Sequence, residues 1–208
     1  MNTHADNTPA TAPTWESFTA FVRTLHLPRY AELPDIPLYM DQVLTYIDDQ
    51  LRPLLPEGEK LLTSSMVNNY VKQKLVPMPQ HKRYSRDHVA LLIFICLMKR
   101  TASIGDIARL FAVQSATHSV QRAYDFFCTA VEESLRSLFC GVTNERSLGA
   151  WSIEEANGFA FAVRVADAET LTPERRLVIS TATATANKIY GEKCLELGVL
   201  DRTPDQAE

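Results

Sequence analysis

The stretch that decides the fold reads Thr63-Ser64-Ser65-Met66-Val67-Asn68-Asn69-Tyr70-Val71-Lys72-Gln73-Lys74-Leu75, then Val76-Pro77-Met78-Pro79-Gln80-His81-Lys82-Arg83-Tyr84-Ser85. Thr63 or Ser64 suits an N-cap, and Met66, Val67, Tyr70 and Val71 recur at helical spacing, so a short helix is expected. Its other face carries Ser65, Asn68, Asn69 and Lys72. Pro77 and Pro79 exclude helix beyond it, and the residues up to Tyr84 suit a short strand or hairpin arm. Ser85 then caps a new helix with Asp87 in its first turn, running through apolar Val89 to Met98 and ending at Lys99 and Arg100. Cations at a helix C-terminus favour its dipole, which explains the last two without invoking a ligand.

Charge marks the same region. From Lys60 to Arg109 there are nine Lys or Arg against Asp87 and Asp106, a local +7 in a chain of net charge −4, so the remainder carries −11. A concentrated basic module inside an acidic chain points to a polyanionic partner.

Working outward, Trp15, Phe18, Phe21, Val22 and Leu25 step by threes and fours, which predicts an amphipathic helix ending before Pro28. A second helix is expected from near Leu38, with Tyr39, Val43, Leu44, Ile47 and Leu51 on one side, closed by Pro53 and Pro56. On the other flank, Ser103 and Asp106 stand at capping-box spacing ahead of Ile104, Ile107, Leu110 and Phe111. Val120, Tyr124, Phe127, Val131, Leu135, Leu138 and Phe139 then describe one long helix stopped by Gly141. The segment from about Leu148 to Val199 reads as two further helices, the last starting at Thr172-Pro173-Glu174 and stopping at Gly198. Alternating Thr181 to Ala186 has some strand character, but its alanines and its flanks favour helix. The fold class expected is all-α (mainly helical), with a short β segment among the helices and a helical bundle after it. Residues 1–14, rich in Thr, Asn, Pro and Ala, read as a disordered arm. Residues 15–111 read as one domain with an added N-terminal helix, and 112–208 as a further helical region.

The order of features from Leu62 to Leu110 resembles the MerR-type winged helix-turn-helix. The resemblance rests on Ser65-Met66-Val67-Asn68-Asn69-Tyr70, Lys74-Leu75-Val76-Pro77-Met78-Pro79, Lys82-Arg83-Tyr84-Ser85, the Asp87 to Arg100 helix and Ser103-Ile104-Gly105-Asp106-Ile107. Asn68 and Asn69 stand where members usually carry an Arg before an aromatic pair. The first helix of the motif, Leu38 to Leu51, is acidic through Asp41, Asp48 and Asp49. The region from Leu33 to Leu110 is also similar to an uncharacterised bacterial family, the domain-of-unknown-function family 1836. The MerR resemblance implies DNA binding, with helix 63–75 in the major groove and wing 76–84 on the phosphate backbone. It also implies a sensing or dimerising segment further along the chain.

The residues themselves suit that chemistry. Phosphates are held by cations, hydroxyls and helix N-termini, which here nominates Thr63, Ser64, Lys72, Lys74, Lys82, Arg83 and Arg86. Base edges are read by forked donors and acceptors; an Asn pairs well with adenine N6 and N7, so Asn68, Asn69 and the adjacent Ser65 are the expected readers. His81 and Tyr84 are expected to support the wing, with Tyr84 chiefly a core anchor. The competing reading is an interaction adaptor that turns the same basic face to an acidic protein. An exposed Met66 or Val67 would favour that adaptor; exposed polar residues favour a DNA groove.

Other chemistries find little support. Cys96, Cys128, Cys140 and Cys194 are widely spaced, without a C-x-x-C pair, and read as reduced core thiols. His4, His26, His81, His88 and His118 form no H-x-x-x-H, and phosphate loops and nucleophile elbows are absent, so neither metal, cofactor nor enzymatic activity is expected. The pairs Asp48-Asp49, Glu132-Glu133 and Glu154-Glu155 read as solvent-facing. Met1 to Thr14 lacks a basic segment followed by an apolar core, and the Val89 to Met98 run is only half the roughly 20 residues needed to span a bilayer. A cytoplasmic transcriptional regulator binding double-stranded DNA as a homodimer is the expectation, without membrane association. Tyr124, Phe126, Phe127, Phe139, Trp151, Phe159 and Phe161 leave room for a small apolar effector in the later helices.

Overall fold

The computed structural model describes residues 13–117, 119–140, 151–156, 160–165 and 172–199. The chain is mainly helical. Helix α1 spans Trp15–Thr24, α2 Met40–Leu51, α3 Ser64–Lys72, α4 Arg86–Met98, α5 Ile104–Thr117, α6 Val120–Cys140 and α7 Pro173–Glu196. Short 3-10 turns at Tyr30–Glu32 and Arg52–Leu54 shape the connections around α2. Most of the expected disordered arm, residues 1–12, lies outside the described residues; Thr14 is the N-cap of α1, its hydroxyl accepting from Ser17 N at 3.2 Å.

Helix α4 is the centre of the structure because its sequence gives it no polar face. From His88 to Met98 all but Leu91 are buried, and α2, α6 and α7 pack around it. A helix that is apolar on every side must be enclosed on every side. Phe94 stacks on Phe127 of α6 with ring centroids 4.1 Å apart and meets Phe111 of α5 edge-on at 5.4 Å. The apolar core continues through α6 to α1, where Trp15, Phe18, Phe139 and Tyr190 form an aromatic cluster with centroids 4.9–5.8 Å apart. Helix α7 lies along α6 through Ala182, Thr185 and Ala186, all buried. Small side chains allow close approach, and Thr185 Oγ1 satisfies itself on the Thr181 carbonyl at 2.9 Å.

The segment from Leu148 to Val199 is not two helices. Trp151–Ala156 (β1) and Ala160–Val165 (β2) pair antiparallel with Trp151 opposite Val165, and α7 alone follows. Phe161, Val163 and Val165 alternate with smaller or polar residues, a period of two that suits a pleated ribbon, and Asn157-Gly158 is a strong hairpin signal. The expected roles of the Trp151, Phe159 and Phe161 side chains lie outside the described residues, as do His4 and His118.

Glu132 and Glu133 are also not solvent-facing. Glu132 is 2 % exposed and sits where the chain between α1 and the first 3-10 turn crosses α6. Its carboxylate accepts from Leu27 N at 2.6 Å and from both terminal nitrogens of Arg29 at 2.7 Å. Arg136 approaches Glu132 at 3.5 Å, pairs with Glu133 and donates to the Leu25 carbonyl. Tyr124 Oη donates to the Pro28 carbonyl at 2.8 Å, and Asp125 accepts from Tyr30 N at 2.7 Å. These bonds satisfy backbone groups that prolines 28, 34 and 37 keep out of regular structure. The guanidiniums needed to neutralise the pair come from a distant segment and from one helical turn away, which adjacency in the sequence conceals.

Candidate nucleic-acid interface

Helix α3 is built to show one polar face. Thr63 Oγ1 accepts from Met66 N at 3.2 Å, capping the helix as its sequence suggests. Val67 and Tyr70 are buried and Met66 is half-buried against the core, while Ser64, Ser65, Asn68, Asn69, Lys72 and Gln73 are exposed. The helix ends in a Schellman motif: Leu75 N donates to the Tyr70 carbonyl and Lys74 N to the Val71 carbonyl, each at 3.0 Å. Lys74 occupies the position usually held by Gly, with φ of 60°, and Leu75 turns into the core behind it.

A tight turn follows at the basic loop. Arg83 N donates to the Gln80 carbonyl at 2.9 Å, and His81 and Lys82 between them have φ of 50° and 61°. Two consecutive left-handed residues make a turn whose twist matches a hairpin. Tyr84 then exchanges both backbone bonds with Leu38, at 2.8 and 2.9 Å, tying the turn to the residues just before α2. Tyr84 itself is 4 % exposed. His81 stands exposed at the tip of the turn rather than beneath it, and the imidazole that meets the Tyr84 ring edge-on, at 5.6 Å, is that of His88.

His88 is the hinge between this turn and α4. Its Nδ1 accepts from Ser85 N at 3.1 Å and lies 2.7 Å from Ser85 Oγ, filling the place of the Glu in a capping box. Nδ1 as acceptor puts the ring proton on Nε2, which is buried near the Pro77 and Met78 carbonyls without a well-formed hydrogen bond to either. Burial pulls the His88 pKa below its ordinary value, with the Pro77 and Met78 carbonyls and Asp87 opposing it in part. Protonation would also replace the acceptor for Ser85 N with a second donor.

The nine cations of the basic segment separate into two groups. Arg100 has a 4 % exposed side chain held between Glu59, at 2.8 Å, and Glu192 of α7. Lys99 donates to the Leu61 carbonyl, and Arg86 pairs with Asp35 at 2.9 Å. These three hold the structure together. Lys72, Lys74 and Lys82 are exposed and form no ion pair among the described residues; Lys60 and Arg109 are exposed too. Arg83 is exposed and lies 4.4 Å over the Tyr39 ring, with its Nη2 donating to Tyr39 Oη at 2.7 Å. This stacking pre-positions the guanidinium without neutralising it. Tyr39 and Asp35 were invisible as partners because both lie more than forty residues upstream of the cations they hold.

Elsewhere, burial pushes the Cys96 and Cys128 thiols up to about 12, so neither is a nucleophile at neutral pH. Among the described residues no cluster of three His, Cys, Asp or Glu could hold a metal ion, and no helix is long and apolar enough to cross a membrane.

The central part of the chain matches one family model. Residues 28–127 match the family model Domain of unknown function (DUF1836). The DUF1836 segment runs from the proline whose carbonyl Tyr124 holds to the phenylalanine stacked on Phe94, and so contains α2 to α5, the basic turn and the start of α6. No curated protein and no solved structure matches the chain.

Proposed function

We propose that the protein is a sequence-specific DNA-binding transcriptional regulator of MerR-like winged helix-turn-helix form. Helix α3, within 63–75, enters the major groove, and the turn within 76–84 lies on the phosphate backbone as the wing. The observation that carries this reading is the division of α3: Val67 and Tyr70 are buried, while Ser65, Asn68, Asn69 and Lys72 form an exposed polar face with no ion pair among the described residues. Asn68 and Asn69 are adjacent and free to present amides to adenine edges, and Lys72, Lys74, Lys82 and Arg83 supply phosphate donors around them. Thr63 uses its hydroxyl as a helix cap and Arg86 is paired with Asp35, so the exposed cations carry more of the phosphate contact than these two. The Leu38–Tyr84 bridge fixes the wing against the start of α2. The regulator is cytoplasmic and acts as a homodimer, since a single short helix reads few base pairs and two-fold symmetry doubles the site.

A second reading has its own observation. Ile36, Tyr39 and Met78, beside the same face, are 72 %, 47 % and 80 % exposed, which suits a protein partner of an adaptor. One experiment separates the two: binding of the purified chain to duplex from upstream of its own gene, and to random duplex, across a range of salt. A steep salt slope with preference for its own fragment is expected, and Asn68→Ala with Asn69→Ala should lose about 1–3 kcal/mol of discrimination per good base pairing. Absence of binding at low salt refutes the DNA reading and leaves the adaptor.

A further inference from the structure

Beside the C-terminal end of α3 lies a half-open cavity of about 680 Å³, lined by the 74–78 connection, α4, α5 and the first turn of α6. Its volume is in the range that takes a small organic ligand. Leu75, Leu91, Phe94, Phe111 and Val120 make the walls apolar, and Met78, 80 % exposed, stands at the rim. Two further lining residues are Lys72 and Lys74, and among the described residues no Asp or Glu lines the space. An apolar cavity with two lysines in its lining and no carboxylate among the described lining residues selects for a ligand with an apolar body and a negative head. A cation would meet uncompensated like charge, and a neutral hydrocarbon would leave the ammoniums unused.

We propose that this cavity binds a small apolar carboxylate, its chain against the Phe94 and Phe111 rings and its head held by Lys72 and Lys74. The left-handed backbone at Lys74 turns the chain sharply, so that buried Leu75 enters the wall while Lys74 beside it stays exposed. Since Lys72 and Lys74 are also phosphate donors in the DNA reading, carboxylate and DNA then compete for the same charges. That competition rests on the DNA reading; the ligand site does not.

Octanoate and neutral octanol are suitable probes, titrated by calorimetry into the full chain without DNA. Saturable binding of one octanoate per chain, with octanol weaker, is expected. Lys72→Gln with Lys74→Gly should weaken octanoate about tenfold and leave octanol unchanged, the loss expected for two part-exposed ion pairs. Ala123→Phe, which narrows the cavity, should weaken both; if that variant does not fold, the lysine pair still decides. No octanoate binding, or equal affinity for the two probes in the wild type and the lysine variant, overturns the site. Octanoate binding should also weaken binding to duplex. Octanoate binding by a chain that binds no duplex supports the site and refutes the DNA reading, whereas duplex binding indifferent to saturating octanoate overturns the shared role of the two lysines.

Discussion

Replacing Lys72 and Lys82 together by Gln tests how the cations divide. The structure leaves Lys72, Lys74, Lys82 and Arg83 exposed around the α3 face and removes Arg100, Lys99 and Arg86 into structural bonds. If each of the four exposed cations neutralises one phosphate, log affinity falls against log salt with a slope near −3.6 per protomer, since each contributes about −0.9. Between 50 and 200 mM salt this is about a 150-fold loss of affinity, and with two cations gone the loss shrinks to about 12-fold. Had the whole basic segment faced DNA, the slope would approach −8 and the double variant would reduce it by only about a quarter. Fluorescence anisotropy of a labelled duplex at five or six salt concentrations resolves these cases. An unchanged slope in the Lys72→Gln, Lys82→Gln variant, with folding confirmed by circular dichroism, refutes the placement of phosphates on this face.

Lys74→Gly should raise the unfolding free energy by about 1 kcal/mol, seen as a higher urea midpoint, because the left-handed strain of a Lys at that φ outweighs the extra backbone freedom of Gly in the unfolded chain, and a midpoint that falls contradicts the Schellman assignment. His88 should make stability fall with acid: its folded pKa lies below the ordinary 6.5, so as pH drops below that value the unfolded chain takes the proton first and is favoured until the lowered folded pKa is passed. His88→Gln retains an acceptor for Ser85 N and should flatten that part of the stability–pH profile; an unchanged profile assigns the effect elsewhere. Glu132→Ala should cost about 3–5 kcal/mol, since it strands Arg29 and the Leu27 amide, and adding Arg29→Met should restore part of the loss in the same denaturation assay.

Local signals in the sequence were enough for most helices. Thr63, Ser85, Ser103 and Thr172 each begin a helix where their side chains suggest, and the mixed Thr-Ala run of α7 is helical because its small residues pack along α6. The two-helix reading of Leu148 to Val199 passes over the hairpin of β1 and β2, although Asn157-Gly158 and the alternation from Phe161 to Val165 point to it. In the candidate interface, the exposed face of α3 followed from periodicity alone. What periodicity could not give was the sorting of the cations. Whether a cation faces solvent or a carboxylate depends on pairs such as Arg100 with Glu192 and Arg86 with Asp35, whose members meet only after the chain has folded. His88 escaped notice for a related reason: an imidazole in the third position of a helix resembles any other polar residue until its nitrogen is found against the cap.

The clasp of α7 on the rest of the molecule has a consequence for biosynthesis. Arg100 and the Leu55 carbonyl find their partners in Glu192 and Lys193, and Trp15 meets Tyr190. At about 5–20 residues per second, a ribosome that has finished α6 needs several more seconds to supply α7. Until α7 arrives, the chain has three of the four rings of that aromatic cluster and lacks Tyr190, and the flank of α6 that α7 covers is unpartnered. Slow codons between α6 and α7 prolong that exposure and should lower the soluble yield while leaving the mature molecule unchanged.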